Sequence, residues 1–136
     1  MRTIKFRGKQ FNDGKWVYGY LADGNLICTA SDTKWDAVEV KSTTVGQFTG
    51  LTDKAGREIY EGDIVAHPYI DPIFGDLVEM KDGKGVKSVV VFHEGAFCVR
   101  YGEDVFYYLD QFTRHKHIEV VGNIHDNPEL MKGGKQ

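Results

Sequence analysis

The stretch GLTDKAGREIYEGDIV, Gly50 to Val65, decides how this chain folds. Asp53-Lys54-Ala55-Gly56 has the chemistry of a tight reversal. Aspartate accepts hydrogen bonds from backbone groups two residues on, and glycine takes a left-handed conformation without a Cβ clash. Arg57 to Tyr60 then alternates as a short strand, Glu61-Gly62-Asp63 offers a second reversal, and Ile64-Val65 opens a strand buried on both faces. Gly56 is therefore expected at positive φ, closing a bulged hairpin that begins at Asp53. Two hairpins in succession pin the register, because a one-residue slip would turn the apolar set outward. The stretch is structural punctuation.

Outward from it, the β pattern continues in both directions. In KWVYGYL, Lys15 to Leu21, Trp16, Tyr18 and Tyr20 share one face and Val17, Gly19 and Leu21 the other. Asp13-Gly14 and Asp23-Gly24 bracket that strand as turns, NLICTA returns beside it, and Ala37 to Lys41 reads as one more strand. Residues 1–49 thus form an N-terminal β-meander of hairpins. Beyond the opening stretch, His67 to Lys87 reads as a long excursion rich in proline, glycine and charge. VVVFHEGAFCVRY, Val89 to Tyr101, is then the clearest hairpin, turning at His93-Glu94-Gly95. Phe97, Val99 and Tyr101 share a face that Val89 and Val91 are expected to match. FYYLDQF continues as strand or a brief helical turn, and HIEVVGNIH as a strand with Ile118, Val120 and Ile124 pointing one way. Asn127-Pro128 suits the start of a helix of a turn or two. No segment sustains a 3.6-residue period, so the fold class is mostly β, a barrel or roll and not a parallel βαβ sheet.

Three segments carry a resemblance to a known family. IKFRGK near the start, VGQFTGLTDKAGREIYEGDIV in the middle and IEVVGNIHDNPELM at the end resemble the YopX family of bacteriophage and prophage proteins, in the family's order from Ile4 to Met131. The resemblance implies a small cytoplasmic protein, encoded by phage or prophage, whose C-terminal part is an SH3-like β-barrel. It brings no established activity and no catalytic residues. On this reading residues 1–49 are an N-terminal hairpin subdomain, 50–131 an SH3-like barrel subdomain and 132–136 a disordered tail.

The candidate chemistry is thin. His115, His117 and Glu119 alternate on what reads as one strand face, and residues two apart place their Cβ atoms about 7 Å from each other, within reach of one metal. No further ligand is signalled from another segment. The face reads as the polar outside of an edge strand, and no metal is expected. Glu61, Asp63, Glu103, Asp104 and Asp110 include no evident acid–base pair, and Asp63 has a role in its own turn. The serines Ser31, Ser42 and Ser88 stand in no G-x-S-x-G elbow, and DGKG, Asp82 to Gly85, lacks the strand and helix of a phosphate loop. Cys28 and Cys98 sit 70 positions apart in apolar runs and read as reduced core thiols of a cytosolic protein. Trp16, Tyr18, Tyr20, Phe106, Tyr107 and Tyr108 could form a stacking platform or a peptide groove, although the simpler expectation puts half of them in the core.

Charge excludes little. The net charge is −3; residues 1–66 carry nine basic and nine acidic side chains, and residues 67–136 eight and eleven. Neither half has the basic excess that phosphate neutralisation requires, so charge does not argue for nucleic-acid binding. No apolar segment approaches a membrane span or a signal sequence. The expectation is a non-enzymatic phage accessory protein, without catalytic, cofactor or metal residues. It acts in the cytoplasm through contacts with its own copies or with host or phage proteins. A nucleic-acid-binding small β-barrel module is the alternative.

Overall fold

The computed structural model describes residues 3–30, 35–70, 73–74, 77–78, 85–114 and 116–132. The protein is mostly β, built from antiparallel sheets with few helical turns. Two compact units divide it, Met1–Gly50 and Leu51–Gln136.

The N-terminal unit is a meander. β1 (Phe6–Lys9), β2 (Trp16–Asp23), β3 (Leu26–Ala30) and β4 (Trp35–Glu39) pair in sequence order, and β5 (Gly46–Thr52) returns to the free side of β1. The Asp13-Gly14 turn forms as its residues dictate. The Lys15 N–H donates to the Asp13 carboxylate at 3.0 Å, and Gly14 takes φ 72°. One face of the meander is apolar and packs inward around Ile27 and Val40. Gly19 sits where β2 and β3 cross closely, and a Cβ there would land on the Cys28 carbonyl. The sheet curls enough for Gln10, just past β1, to bridge Val40, just past β4.

In the C-terminal unit, β6 (Glu58–Tyr60) follows the opening turn. The chain continues through β7 (Asp63–His67), a two-stranded hairpin of β8 (Tyr69–Ile70) and β9 (Leu77–Val78), β10 (Val86–His93), β11 (Ala96–Tyr101), β12 (Val105–Tyr108), α1 (Asp110–Thr113), β13 (Glu119–Asn123) and α2 (Glu129–Lys132). The main sheet runs β12-β11-β10-β7-β13 and stays open, with β12 and β13 at its edges instead of a closed barrel. Its inner face contributes Val65, Val90 and Val99 to a core completed by Ile59, Leu109, Phe112 and Ile118. Ile64 and Val65 are both fully buried, so β7 is covered on both faces as its sequence suggests.

The structure corrects several finer expectations. The hairpin after the excursion closes on two residues, Glu94 (φ 48°) and Gly95 (φ 86°), with His93 paired to Ala96. Positive φ at both central residues is the primed turn that matches strand twist. That shorter loop moves the register by one residue. Val90 and Phe92 therefore oppose Val99 and Phe97, while Val89 and Val91 lie across from Arg100 and Cys98. The strand read from His117 onward begins only at Glu119, because Lys116 turns left-handed at φ 57°. Its register then shifts between Val120 and Gly122, which leaves Ile124 beyond the strand and 39% exposed. Asn127 opens α2 through its carbonyl, which accepts from Leu130, while its side chain accepts from the Asn123 N–H at 3.2 Å. Lys132 ends α2, and residues 133–136 lie outside the described residues.

Candidate functional site

The opening turn has the expected geometry and an unexpected reach. Gly56 has φ 84°, and its N–H donates to the Asp53 carbonyl at 3.0 Å. Asp53 Oδ1 accepts from the backbone of Ala55 and Arg57, both at 2.9 Å, and Oδ2 accepts from Val120 at 3.0 Å, 67 residues away. Burial by itself would raise this carboxyl's pKa. The N–H groups of Val120, Arg57 and Ala55, with the Arg57 charge, outweigh it and hold Asp53 below the usual carboxylate range. Its role is to lock β13 onto the hairpin.

The other carboxylates are dispersed. Asp63 is buried and accepts from the Tyr60 N–H at 2.7 Å, the turn role its position implies. Glu61 shares that turn, Glu103 and Asp104 lie exposed between β11 and β12, and Asp110 pairs with Arg114 at 3.2 Å. Glu119 meets Arg57 at 3.7 Å and Lys54 at 4.0 Å. His117 is half-buried in the connection after α1, and His115 lies outside the described residues. Among the described residues, no three His, Cys, Asp or Glu side chains converge as a metal-holding group.

One pair that the sequence did not signal has the arrangement of a nucleophile and its base. His67 Nε2 lies 2.7 Å from Ser88 Oγ, and His67 Nδ1 lies 2.8 Å from the Pro68 carbonyl oxygen. A carbonyl only accepts, so Nδ1 carries the proton and the Ser88 hydroxyl donates to Nε2. Burial lowers the His67 pKa against the opposing pull of Pro68, which keeps the ring neutral. Ser88 is 0% and His67 4% exposed, so a substrate carbonyl has no approach to the hydroxyl. The imidazole packs against Phe112 with ring centroids 4.4 Å apart. This is a satisfied core pair joining β7 to β10. Of the other serines, Ser42 is exposed in a 3-10 turn and Ser31 lies outside the described residues. Within DGKG, only Gly85 is described.

The outer face of the C-terminal sheet offers a surface site. There Ile64 and Val89 are buried, and the side chains of Asn127 and Leu130 lie close over Gly122. Toward β12 the face opens into a cleft of about 480 Å³ bounded by His93, Cys98, Phe106, Tyr108 and Gln111. His93 and Phe106 stack face to face, 3.7 Å between centroids and 2° from parallel, and make a flat wall. Glu94 and Asp104 stand at the rim. The Cys98 thiol lies at the floor, and burial, then the nearby Glu94 charge, raises its pKa. A thiol held protonated is a poor nucleophile. The cleft offers aromatic surface and acidic edges, which is recognition chemistry.

The six aromatics expected to divide between core and surface fall mainly outside the core. Tyr18, Tyr20 and Tyr108 are 47%, 58% and 64% exposed, while Trp16, Phe106 and Tyr107 are half-buried, Tyr107 against the core. Cys98 is a buried thiol and Cys28 a half-buried one; neither forms a disulfide.

Fold and site together define a mostly-β protein of two compact units, with exposed aromatic surface on antiparallel sheets. The chain belongs to the YopX protein family, whose model matches residues 5–132. It is similar in fold to the crystal structure of protein EF1440 from Enterococcus faecalis, with a TM-score of 0.57 and 22% sequence identity over 96% of this chain and 99% of that one. No curated protein matches the sequence.

Proposed function

We propose that this is a phage- or prophage-encoded accessory protein that catalyses no reaction and works in the cytoplasm through protein contacts, including contacts between its own copies. One observation carries the reading. The outer face of β10, β11 and β12 keeps an aromatic cleft and an exposed Tyr108, although the inner face of the same strands already fills the core. Contiguous aromatic surface of this kind is characteristic of partner binding. The perturbed titratable groups support the absence of catalysis, since Asp53 and His67 are spent on structural hydrogen bonds and Cys98 is held as a thiol. The two free thiols suit a reducing compartment. No helix among the described residues is long and apolar enough to cross a membrane.

The C-terminal unit is, in this reading, an SH3-like roll. Four strands meander as β7, β10, β11 and β12, one helical turn follows, and β13 returns beside β7, which is the connectivity of such rolls. Light scattering across micromolar concentrations, on the wild type and on Tyr108→Ser, tests the function. Assemblies larger than one chain that Tyr108→Ser weakens are expected. A mass of one chain throughout, with no change on substitution, would remove self-association from the reading.

A further inference from the structure

The N-terminal unit carries a second aromatic surface of a different electrical character. Within Met1–Gly50 there are seven basic and five acidic residues, against ten and fifteen in Leu51–Gln136. The unit is thus positive inside a protein of net charge −3. The pairing of β1 with β2 then sorts those charges. Arg7 lies opposite Tyr18 and Lys9 opposite Trp16, so the cations of β1 and the rings of β2 share a sheet face. Lys5 precedes β1 on the same alternation. The acids of β1 to β4 are Asp23, at the last position of β2, and Asp36 and Glu39 on β4.

The geometry divides the labour among these residues. Arg7 is buried, and its guanidinium carbon lies 4.6 Å from the Trp16 ring centroid, which fixes that ring in place. The Lys9 amine lies 5.7 Å from the Trp16 centroid and the Lys5 amine 5.3 Å from that of Phe48, both on half-buried stems. Tyr18 and Tyr20 present their rings outward, 47% and 58% exposed. Two residues apart on a strand, they stand about 7 Å from each other, a spacing at which successive unstacked bases of one strand can each meet a ring.

We propose that this face of β1 and β2 binds single-stranded nucleic acid, with Tyr18 and Tyr20 as stacking platforms and Lys5 and Lys9 as phosphate contacts. Aromatic rings interleaved with cations on an open sheet are the general means of holding a single strand without reading its sequence. A duplex fits poorly, because its bases are stacked on one another and cannot reach the rings. The site is independent of the protein-contact reading, which rests on the other unit.

Fluorescence anisotropy of the full chain with a labelled oligo-dT single strand tests it. Binding at low salt is expected, with a log–log salt slope of about −1.4 from two phosphate contacts. Tyr18→Ala and Tyr20→Ala should each weaken affinity about tenfold, while Tyr20→Phe keeps the ring and most of the affinity. Lys5→Gln and Lys9→Gln should each make the slope shallower by about 0.7. Tyr18 and Tyr20 are exposed and the two lysines half-buried, so far-ultraviolet circular dichroism verifies that each variant is folded. Absence of binding by the intact protein at low salt would overturn the proposal. So would binding that survives the double alanine variant, equal affinity for a duplex of the same length, or loss of binding on Tyr108→Ala, which would place the strand on the other unit.

Discussion

Asp53 shows how one side chain can set the register of distant strands. Its carboxylate accepts two N–H groups of its own turn and a third from β13, all inside a site where the side chain has no exposure. Hydrogen bonds to a charged acceptor are worth about 1.5–3 kcal/mol each, and unpaired buried donors add to the cost of losing them. Asp53→Ala should therefore destabilise the protein by about 3 kcal/mol or more, read as a lowered urea midpoint. The pH dependence has a definite sign. The folded pKa lies below the 3.8 of an unperturbed aspartate, so the stabilisation is complete above about pH 4 and is lost as pH falls through the folded pKa. Asp53→Asn should flatten that acid limb. At Gly56 the backbone sits at φ 84°, and an added Cβ would meet nothing within 4 Å. The cost of Gly56→Val is then purely conformational, about 1–2 kcal/mol, and equilibrium urea unfolding would measure it.

Between elements, short-range features are legible in the sequence and long-range pairings are not. Turns at Asp13-Gly14 and Asp53 to Gly56 were legible because a side chain bonds backbone two to four residues on, entirely within the window being read. The period-two strands and the burial of Ile64 and Val65 were legible for the same reason. The Glu94-Gly95 register was not, since Glu94 enters positive φ without the Asn or Asp that usually announces it. The His67–Ser88 bond was hidden by 21 residues of separation and the excursion between them. The cleft was legible only as an aromatic surplus, because which rings share a face depends on that same hairpin register. The His67–Ser88 pair leads to a prediction at this scale. Ser88→Ala leaves Nε2 buried without its donor and should cost about 1–3 kcal/mol. The folded His67 pKa lies below the 6.5 of an unperturbed histidine, so the unfolded chain takes up the proton first. The His67 contribution to stability is complete above about pH 6.5 and declines as pH falls from there. Urea midpoints at pH 8 and pH 5.5 should differ less for His67→Phe than for the wild type.

Across the molecule, charge distinguishes the two proposed binding surfaces and predicts opposite responses to salt. The chain has two tryptophans, seven tyrosines and eight phenylalanines, yet among the described residues only Phe112, Tyr60 and Phe48 are buried aromatics. The outer face of the C-terminal sheet places Phe106 and Tyr108 on β12, an edge strand whose four residues, Val105 to Tyr108, carry no charge to deter pairing. Acids flank it, Glu103 and Asp104 before and Asp110 after. Two copies meeting antiparallel through β12 would bury Tyr108 and Phe106 favourably while bringing those carboxylates toward one another. Salt screens that repulsion and leaves the apolar contact intact. Self-association should therefore strengthen as ionic strength rises, whereas single-strand binding at Lys5 and Lys9 should weaken. Light scattering at micromolar protein across a salt series measures the first effect. Tyr108→Ser should abolish the rise in mass, and Asp104→Asn should allow association at low salt. A mass of one chain at every ionic strength would sink the idea and leave the β12 cleft to a partner of another kind, one whose cations complement Glu94 and Asp104.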